Sequence, residues 1–382
     1  MLNFTQEFRP NTVYGAKTVK QLGDYLYGRR LLFVYGSGSI KASGLYEQVK
    51  QILDEHYYIE YGGIGSNPKL SQIREAIQLC IDHEVDQIIA VGGGSVIDAA
   101  KAIAVGAKSD CDVWDIYSGT NVATDSIDLL TVVTNVATGS ETNDVSVIVN
   151  DELNLKRSIK SSLIYPKVAI MDPELTLTVG EYTTRYGLID CFSHLFEQYF
   201  NNINSPIVDG QIASYMRNIV DLAPKLLKDL SNIELRDQHM YLSYVAYNCD
   251  IRNTVGGDFA SHGLDYGLAS VFDTTHGAGL AIIMPNWLEY VSLYKPQKIA
   301  TLGREVFGVE AANDVVACKQ TVKALRAWLS KLGAAQQYTD IGVSITAEQL
   351  TEMIEKAKVS YPLGNYFGLD EAAIKQIYEM GN

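Results

Sequence analysis

Residues 86–101 read DQIIAVGGGSVIDAAK and join a strand-like segment to a helix-like segment through three consecutive glycines. DQIIAV has the length and apolar character of a buried strand, and the residues after Ser95 are spaced as in a helix. The N–H groups at a helix start lack partners within the helix, and the helix dipole is positive there. A tight turn with positive φ would explain one glycine but not three. We interpret Gly92-Gly93-Gly94-Ser95 as a phosphate-binding turn.

The alternation of strand and helix continues on both sides of this turn. Alternating strands and helices predict a parallel sheet with crossover helices, which is the α/β class. In chain order, the patterns predict strand 29–36, helix 40–56, strand 57–64, helix 74–84, strand 86–94, helix 96–107 and strands 129–137, 144–151 and 165–172.

A second glycine-containing loop follows the predicted strand RRLLFVYG (29–36). It has a G-x-G pattern, but Lys41 stands where a full dinucleotide fingerprint needs a third glycine. The position of the loop, between a strong strand and a helix, favours contact with the adenosine end of a nucleotide. The candidate residues are Gly36, Ser37, Gly38 and Ser39.

The character of the chain changes after Asp172-Pro173. The second half has long helical patterns, such as 184–200, 208–230 and 314–333, and almost no strand-like alternation. A chain of 382 residues also exceeds what one hydrophobic core usually serves. We therefore predict an α/β nucleotide-binding domain over residues 1–178 and an all-helical domain over residues 179–382.

Composition and charge exclude several classes of protein. The formal net charge of −14 argues against nucleic-acid binding, because that function needs a clustered basic surface. The apolar runs are too short to cross a bilayer. The five cysteines are scattered and odd in number, which is typical of reduced thiols. MLNFTQEFRP has no signal-peptide features, so we expect a cytoplasmic protein without nucleic-acid or membrane partners.

Asp190 and His194, in GLIDCFSHLFEQYF (187–200), suit one metal ion. They are four residues apart, so a helix places both side chains on one face, about one turn apart. His262 and His276 lie in FASHGLDYGLASVFDTTHGAGL (259–280). An unbroken helix would separate those two histidines by about 21 Å, so the chain must turn between them. Asp273-Thr274-Thr275 supplies residue types that favour such a break.

Five motifs together make the chain resemble the iron-dependent alcohol dehydrogenases, in the branch of butanol dehydrogenases and NADPH-dependent aldehyde reductases. The resemblance covers about residues 8–290 and implies a dehydroquinate synthase-like architecture. The motifs are GGGSVIDAAK (92–101), ATGSETN (137–143), AIMDPELT (169–176), GLIDCFSHLFEQY (187–199) and SHGLDYGLASVFDTTHGAGLAIIMP (261–285).

The resemblance implies a divalent iron or zinc ion and a nicotinamide cofactor. Asp190, His194, His262 and His276 would hold the metal. Asp98 would lie near the nicotinamide amide, and Lys156 near the nicotinamide ribose. A solvated lysine in the charged stretch DELNLKR is the alternative for Lys156. The resemblance also implies that Gly93, Gly94 and Ser95 bind the pyrophosphate and that Thr134, Thr138 and Ser140 contact the cofactor.

Two departures from the family pattern stand out. Tyr266 replaces a histidine that many members place four residues after the third ligand, where it can relay the alcohol proton. We expect Tyr266 to lie near the reaction and to limit proton transfer. Leu177-Thr178-Val179-Gly180 replaces a proline that the family often has, which affects only the local backbone.

The expected reaction is hydride transfer between nicotinamide C4 and a short- or medium-chain aliphatic alcohol or aldehyde. We expect NADP(H) to be favoured over NAD(H), because the loop Gly36–Ser39 has no carboxylate to repel a 2′-phosphate. An acid placed nearby by the fold would favour NAD(H) instead. The alternatives are a polyol dehydrogenase of the glycerol type and a weakly active nucleotide- and metal-binding protein. We also expect a homodimer.

Overall fold

The computed structural model describes residue 4 and residues 10–248, 250–358 and 363–382. These residues form two compact units. The sheet unit contains residues 10–180 together with Ser231–Tyr244. The helical unit contains residue 4 and the described residues of Glu181–Leu230 and Val245–Asn382. The chain thus has the expected α/β part and the expected helical part.

The sheet unit is built on a parallel sheet. The strands of the described residues are β1 (Asn11–Tyr14), β2 (Arg30–Gly36), β3 (Tyr57–Ile64), β4 (Gln87–Gly92), β5 (Asp128–Val133), β6 (Val145–Asn150), β7 (Leu155–Lys160) and β8 (Val168–Met171). Six of these eight strands pair in the order β1-β8-β5-β4-β2-β3, and every pair is parallel. The predicted parallel sheet is therefore confirmed.

The strand order changes direction between β2 and β4. The chain leaves β2 towards β3 on one side and returns to β4 on the other. Tyr35 near the end of β2 pairs with Val91 near the end of β4, so the loops that follow these strands leave the sheet side by side. Open α/β sheets bind ligands at such a switch point, beyond the carboxyl ends of the strands.

The predicted strand 144–151 does not join the parallel sheet. It forms β6, which pairs antiparallel with β7 as a separate hairpin. Few residues connect β6 to β7, and a parallel pair would need a crossover of a dozen residues or more. The sequence patterns also failed to predict the short strand β1 and strand β7, whose charged residues do not follow a strand pattern.

The helices of the sheet unit cover the parallel sheet. The predicted helix 40–56 is divided in two at Gly44, which has a left-handed φ of 80°. Almost every residue of the helix after β4 is buried, including the charged residues Asp98 and Lys101. These helices are α1 (Ser39–Ala42), α2 (Leu45–Leu53), α3 (Leu70–Asp82), α4 (Gly94–Gly106) and α5 (Val113–Ser118).

The remaining helices follow β8 in the chain. They are α6 (Glu181–Tyr199), α7 (Pro206–Lys228), α8 (Ile233–Ala246), α9 (Asp250–Val255), α10 (Ala260–Phe272), α11 (His276–Ser292), α12 (Pro296–Phe307), α13 (Asp314–Lys331), α14 (Ala347–Ala357) and α15 (Glu371–Glu379). Among the described residues, no helix is both long enough and apolar enough to cross a bilayer.

Helix α8 departs from the predicted domain 179–382, because most of it packs with the sheet unit. Met240 belongs to the apolar core of that unit, and the hydroxyl of Tyr14 donates to the carboxylate of Asp237 at 2.9 Å. The helical period of residues 236–251 shows that one face is buried, but it does not show which surface covers that face.

The cysteines agree with the expectation of unpaired thiols where they are described. Cys80, Cys111, Cys191 and Cys318 are free. Cys249 lies outside the described residues.

Candidate active site

Helix α6 carries the first two predicted metal ligands. Asp190 and His194 are both buried, and Nε2 of His194 lies 3.8 Å from Oδ1 of Asp190. This is the one-turn spacing expected of residues i and i+4 on a helix. The two side chains thus face the same region, as their spacing predicts.

The expected break between His262 and His276 is present. Helix α10 ends at Phe272, Asp273 has a left-handed φ of 50°, and α11 begins at His276. The chain reverses there, which brings the ring centroids of His262 and His276 to 5.1 Å from each other. The two histidines therefore meet despite their separation in sequence.

The structure brings the four predicted ligands together. One ligand atom each from Asp190, His194 and His262 lies within 4.8 Å of the other two. His276 is outside that set of three, but its Nε2 lies 3.7 Å from Oδ1 of Asp190. His276 is also the most accessible of the four, with 23% of its side chain exposed, so solvent reaches the cluster at this residue.

Two buried carboxylates contact the cluster, and the sequence patterns missed both. Oε1 of Glu197 lies 3.2 Å from Nδ1 of His262, and Oδ2 of Asp265 lies 2.5 Å from Nδ1 of His276. Each acid follows a predicted ligand by three residues on its helix, Glu197 after His194 and Asp265 after His262. That spacing, within apolar helices, is the signal that could have identified them.

The donor atoms fit a divalent cation. Nε2 of His262 is buried and has no hydrogen-bond partner among the described residues, although buried polar atoms are almost always paired. Burial lowers the pKa of His194 to about 3, so its imidazole is neutral, as a metal ligand must be. Burial also lowers the pKa of His262, but its hydrogen bond to Glu197 and the nearby negative charges outweigh burial and raise the pKa overall.

Tyr266 lies beside this cluster. Its ring centroid is 6.3 Å from that of His276, with 39° between the ring planes. The residue is one turn beyond His262 on α10 and adjoins His276. Its predicted part in proton transfer stays a prediction.

The glycine-rich turn after β4 lies in the sheet unit. Gly93 caps α4, and a Cβ at Gly94 would collide with the side chain of Thr138. A Cβ at Gly36, at the end of β2, would lie 3.6 Å from Cγ2 of Val96 on α4. The two predicted cofactor loops, Gly36–Ser39 and Gly93–Ser95, are therefore neighbours.

The predicted contacts Thr134, Thr138 and Ser140 surround the same turn. The amide of Thr134 donates to the carbonyl of Gly92 at 3.0 Å. The amide of Ser140 donates to Oγ1 of Thr138 at 3.2 Å. The structure thus gathers these residues around the start of α4, where their assignment to the cofactor stays a proposal.

Asp98 is buried and tied to its own unit. It accepts hydrogen bonds from the hydroxyl of Ser140 at 2.5 Å and from the amide of Val147 at 3.2 Å. Burial raises the pKa of Asp98, and its partners oppose that shift only in part. Both carboxylate oxygens of Asp98 already accept hydrogen bonds within the sheet unit, so a contact with nicotinamide would be an additional interaction.

Lys156 of β7 is buried, unlike the solvated lysine of the alternative interpretation. Its Nζ donates to Oδ1 of Asn67 at 3.1 Å. The side chain is therefore held in the sheet unit, and its proximity to a ribose stays a proposal.

Comparisons with known proteins bear on the whole chain. The family model for iron-containing alcohol dehydrogenase matches residues 10–173, and the model for the C-terminal part of the Fe-containing alcohol dehydrogenase family matches residues 184–381. Probable NADH-dependent butanol dehydrogenase 1 of Bacillus subtilis is 38% identical, over 99% of each chain. NADPH-dependent aldehyde reductase YqhD of Escherichia coli is 29% identical, over 90% of each chain.

A solved structure agrees with these matches. The crystal structure of NADH-dependent butanol dehydrogenase A from Thermotoga maritima has a TM-score of 0.95 at 30% identity, and covers 99% of this chain and 98% of its own. The resemblance inferred from the five motifs is confirmed. The chain belongs to the iron-containing alcohol dehydrogenase family.

Proposed function

We propose that the protein is a metal-dependent NAD(P)(H) alcohol dehydrogenase and aldehyde reductase that acts on short- or medium-chain aliphatic substrates. The observation that carries this proposal is the cluster of Asp190, His194, His262 and His276, in which all but His276 are buried and Nε2 of His262 has no partner among the described residues. Family membership and the glycine turn after β4 support a nicotinamide cofactor.

The residues of the cluster suit a site that stabilises negative charge on a substrate oxygen. When bound, a divalent cation supplies Lewis acidity towards the alcohol or aldehyde oxygen, and a nicotinamide ring accepts or supplies hydride. The neutral imidazole of His194 offers a lone pair without a competing proton. Asp190 would be the only charged residue among the four ligands, so the ligands would neutralise a divalent cation only in part, and the remaining charge would stabilise negative charge on a substrate oxygen.

We propose iron or zinc as the metal, because imidazole and carboxylate ligands suit both ions. We also propose a preference for NADP(H). The loop Gly36–Ser39 has no carboxylate, and Nζ of Lys41 lies nearby, 5.1 Å from the ring centroid of Tyr35. The neighbouring acid, Glu60, accepts hydrogen bonds from two tyrosine hydroxyls. The names of the relatives divide between NADH and NADPH, so the preference rests on the loop.

The test is turnover after metal reconstitution. Metal-free protein is reloaded with Fe²⁺ or Zn²⁺ and assayed with butyraldehyde, butanol and glycerol, each with both cofactors. We expect butyraldehyde reduction with NADPH to exceed all activity on glycerol. Faster turnover of glycerol would favour the polyol alternative, and no turnover of any substrate by metal-loaded protein would favour the weakly active binding protein. The expected homodimer stays a prediction, which sedimentation equilibrium would test.

A further inference from the structure

Glu197 and Asp265 reach across from one helix to the histidine of another. Glu197 is on α6 with His194 but contacts His262 of α10. Asp265 is on α10 with His262 but contacts His276 of α11. Neither carboxylate has solvent exposure. Helices α6 and α10 therefore each carry candidate ligands of their own and also support the ligand of another helix.

The contacts determine which nitrogen of each ring is available. A carboxylate only accepts hydrogen bonds, so Nδ1 of His262 and Nδ1 of His276 must carry the proton. The lone pair of each neutral ring is then on Nε2. In His276 that atom lies 3.7 Å from Asp190, and in His262 it is the buried atom without a hydrogen-bond partner among the described residues.

Glu197 also secures the start of α10. Its Oε1 accepts the backbone N–H of His262 at 3.1 Å, and its main-chain carbonyl accepts the N–H of Asp258 at 2.9 Å. Between these residues, Phe259 has a left-handed φ of 57°, a conformation that costs free energy for a side chain of this size. One residue of α6 thus fixes both the ring of His262 and the backbone that carries it.

His194 has a different support. Its Nδ1 is buried and has no hydrogen-bond partner among the residues that the structure describes. Its ring is instead stacked on that of Tyr247, with centroids 4.4 Å apart and 10° between the planes. Orientation by a carboxylate is therefore specific to His262 and His276.

We propose that Glu197 and Asp265 are positioning residues that fix the tautomer and ring orientation of His262 and His276 before a metal binds. The proposal rests on the proposed function, since it assumes that the cluster holds a cation. An amide in place of the carboxylate can present either its oxygen or its NH2 group to Nδ1, so the ring can rotate or move its proton to Nε2. Loss of such a partner lowers metal affinity by about 10- to 100-fold.

We expect the carboxylates of Glu197 and Asp265 to destabilise the metal-free protein. Oε2 of Glu197 and Oδ1 of Asp265 are buried without hydrogen-bond partners among the described residues, and a buried charge that is incompletely paired destabilises the fold. Neutral isosteres should therefore preserve or raise the stability of the metal-free protein while they weaken metal binding. A purely structural role predicts that both properties fall together.

The experiment measures Zn²⁺ affinity and metal-free stability in the full chain. Zn²⁺ dissociation constants come from competition with a chromogenic chelator, and the Tm of metal-free protein from calorimetry. Glu197→Gln and Asp265→Asn are compared with Asp209→Asn, whose carboxylate pairs with Lys298 at 3.0 Å and not with a ligand. We expect 10- to 100-fold weaker binding in the first two, wild-type binding in the control, and an equal or higher metal-free Tm for the first two. Unchanged affinity, or a metal-free Tm that falls with the affinity, would overturn the proposal.

A double variant tests whether Glu197 acts through His262. In a His262→Ala background, Glu197→Gln should cause no further loss of Zn²⁺ affinity, because its target is absent. A further loss of the full size would contradict the proposal.

Butyraldehyde turnover of the Zn²⁺-loaded wild type distinguishes a failure of the proposed function from a failure of the positioning role. Tight Zn²⁺ binding without turnover would reject the proposed function alone, and turnover with unchanged affinity in both variants would reject the positioning role alone. A wild type that binds no Zn²⁺ would reject both.

Discussion

The Nε2 atom of His276 lies 3.7 Å from Oδ1 of Asp190, although the two residues come from the start of α11 and the middle of α6. The reversal at Asp273 brings them together. The position of His276 relative to Asp190 therefore depends on packing between helices and not on local sequence. Removing the His276 side chain tests whether the four residues bind one metal ion.

We predict that His276→Ala loses both bound metal and turnover while it keeps its fold. One protein ligand of four would be missing, which should lower metal affinity by orders of magnitude. Elemental analysis and circular dichroism provide the measurements. The control is His83→Ala, because Nδ1 of His83 pairs with the hydroxyl of Tyr57 in the sheet unit. Full metal occupancy in the His276 variant would show that the ligand assignment is wrong.

The sequence could predict those parts of the site that depend on local geometry. The i, i+4 spacing of Asp190 and His194 follows from the helix alone, and the break before His276 follows from residues that disfavour a helix interior. The contacts of Glu197 with His262 and of Asp265 with His276 join different helices. They depend on how α6, α10 and α11 pack, which a hydrophobic period does not specify.

The same limit applies to the fold. The parallel sheet could be predicted from the apolar strands that alternate with helices, because periodicity and connection length determine this architecture. The hairpin of β6 and β7 was missed because Lys156 and Arg157 make β7 look like a solvated turn. Helix α8 was assigned to the wrong unit because an amphipathic face does not identify its neighbour.

We predict that Gly36→Asp shifts the cofactor preference towards NADH. A carboxylate at this loop would repel a 2′-phosphate and accept a hydrogen bond from a 2′-hydroxyl. A Cβ at Gly36 would have 3.4 Å to the carbonyl of Ile64, so the substitution fits. We expect the ratio of kcat/KM for NADPH to that for NADH to fall at least about tenfold, or about 1.4 kcal/mol.

Gly36→Ala is the matched control for that change, because it adds the Cβ without the charge. Its ratio should stay close to that of the wild type. A wild type with kcat/KM for NADH equal to or above that for NADPH would contradict the proposed preference.

We predict that Glu141→Gln stabilises the protein, and more so at neutral than at acidic pH. Burial raises the pKa of Glu141 to about 7, so the folded state binds a proton that the unfolded state has already released. Stability of the wild type therefore falls as the pH rises from about 4.5 to about 7, and glutamine removes that penalty. The difference in Tm between variant and wild type should widen over this range and stay constant above it. The exposed Glu47→Gln should show no such widening, and an equal Tm difference at pH 4 and pH 8 would count against the prediction.

The last prediction is that Tyr266→His raises the rate of alcohol oxidation near neutral pH. The ring of Tyr266 lies 6.3 Å from that of His276, so a side chain at this position lies beside the cluster that would bind the substrate oxygen. A phenol with a pKa near 10 is a weak base at pH 7, whereas an imidazole with a pKa near 6.5 is well matched to that pH. Butanol oxidation from pH 6 to 10 should therefore gain most below pH 8 in the histidine variant. Tyr266→Phe is the control for the phenol itself: if it matches the wild type and the histidine variant does too, water carries the proton and Tyr266 only fills space beside His276.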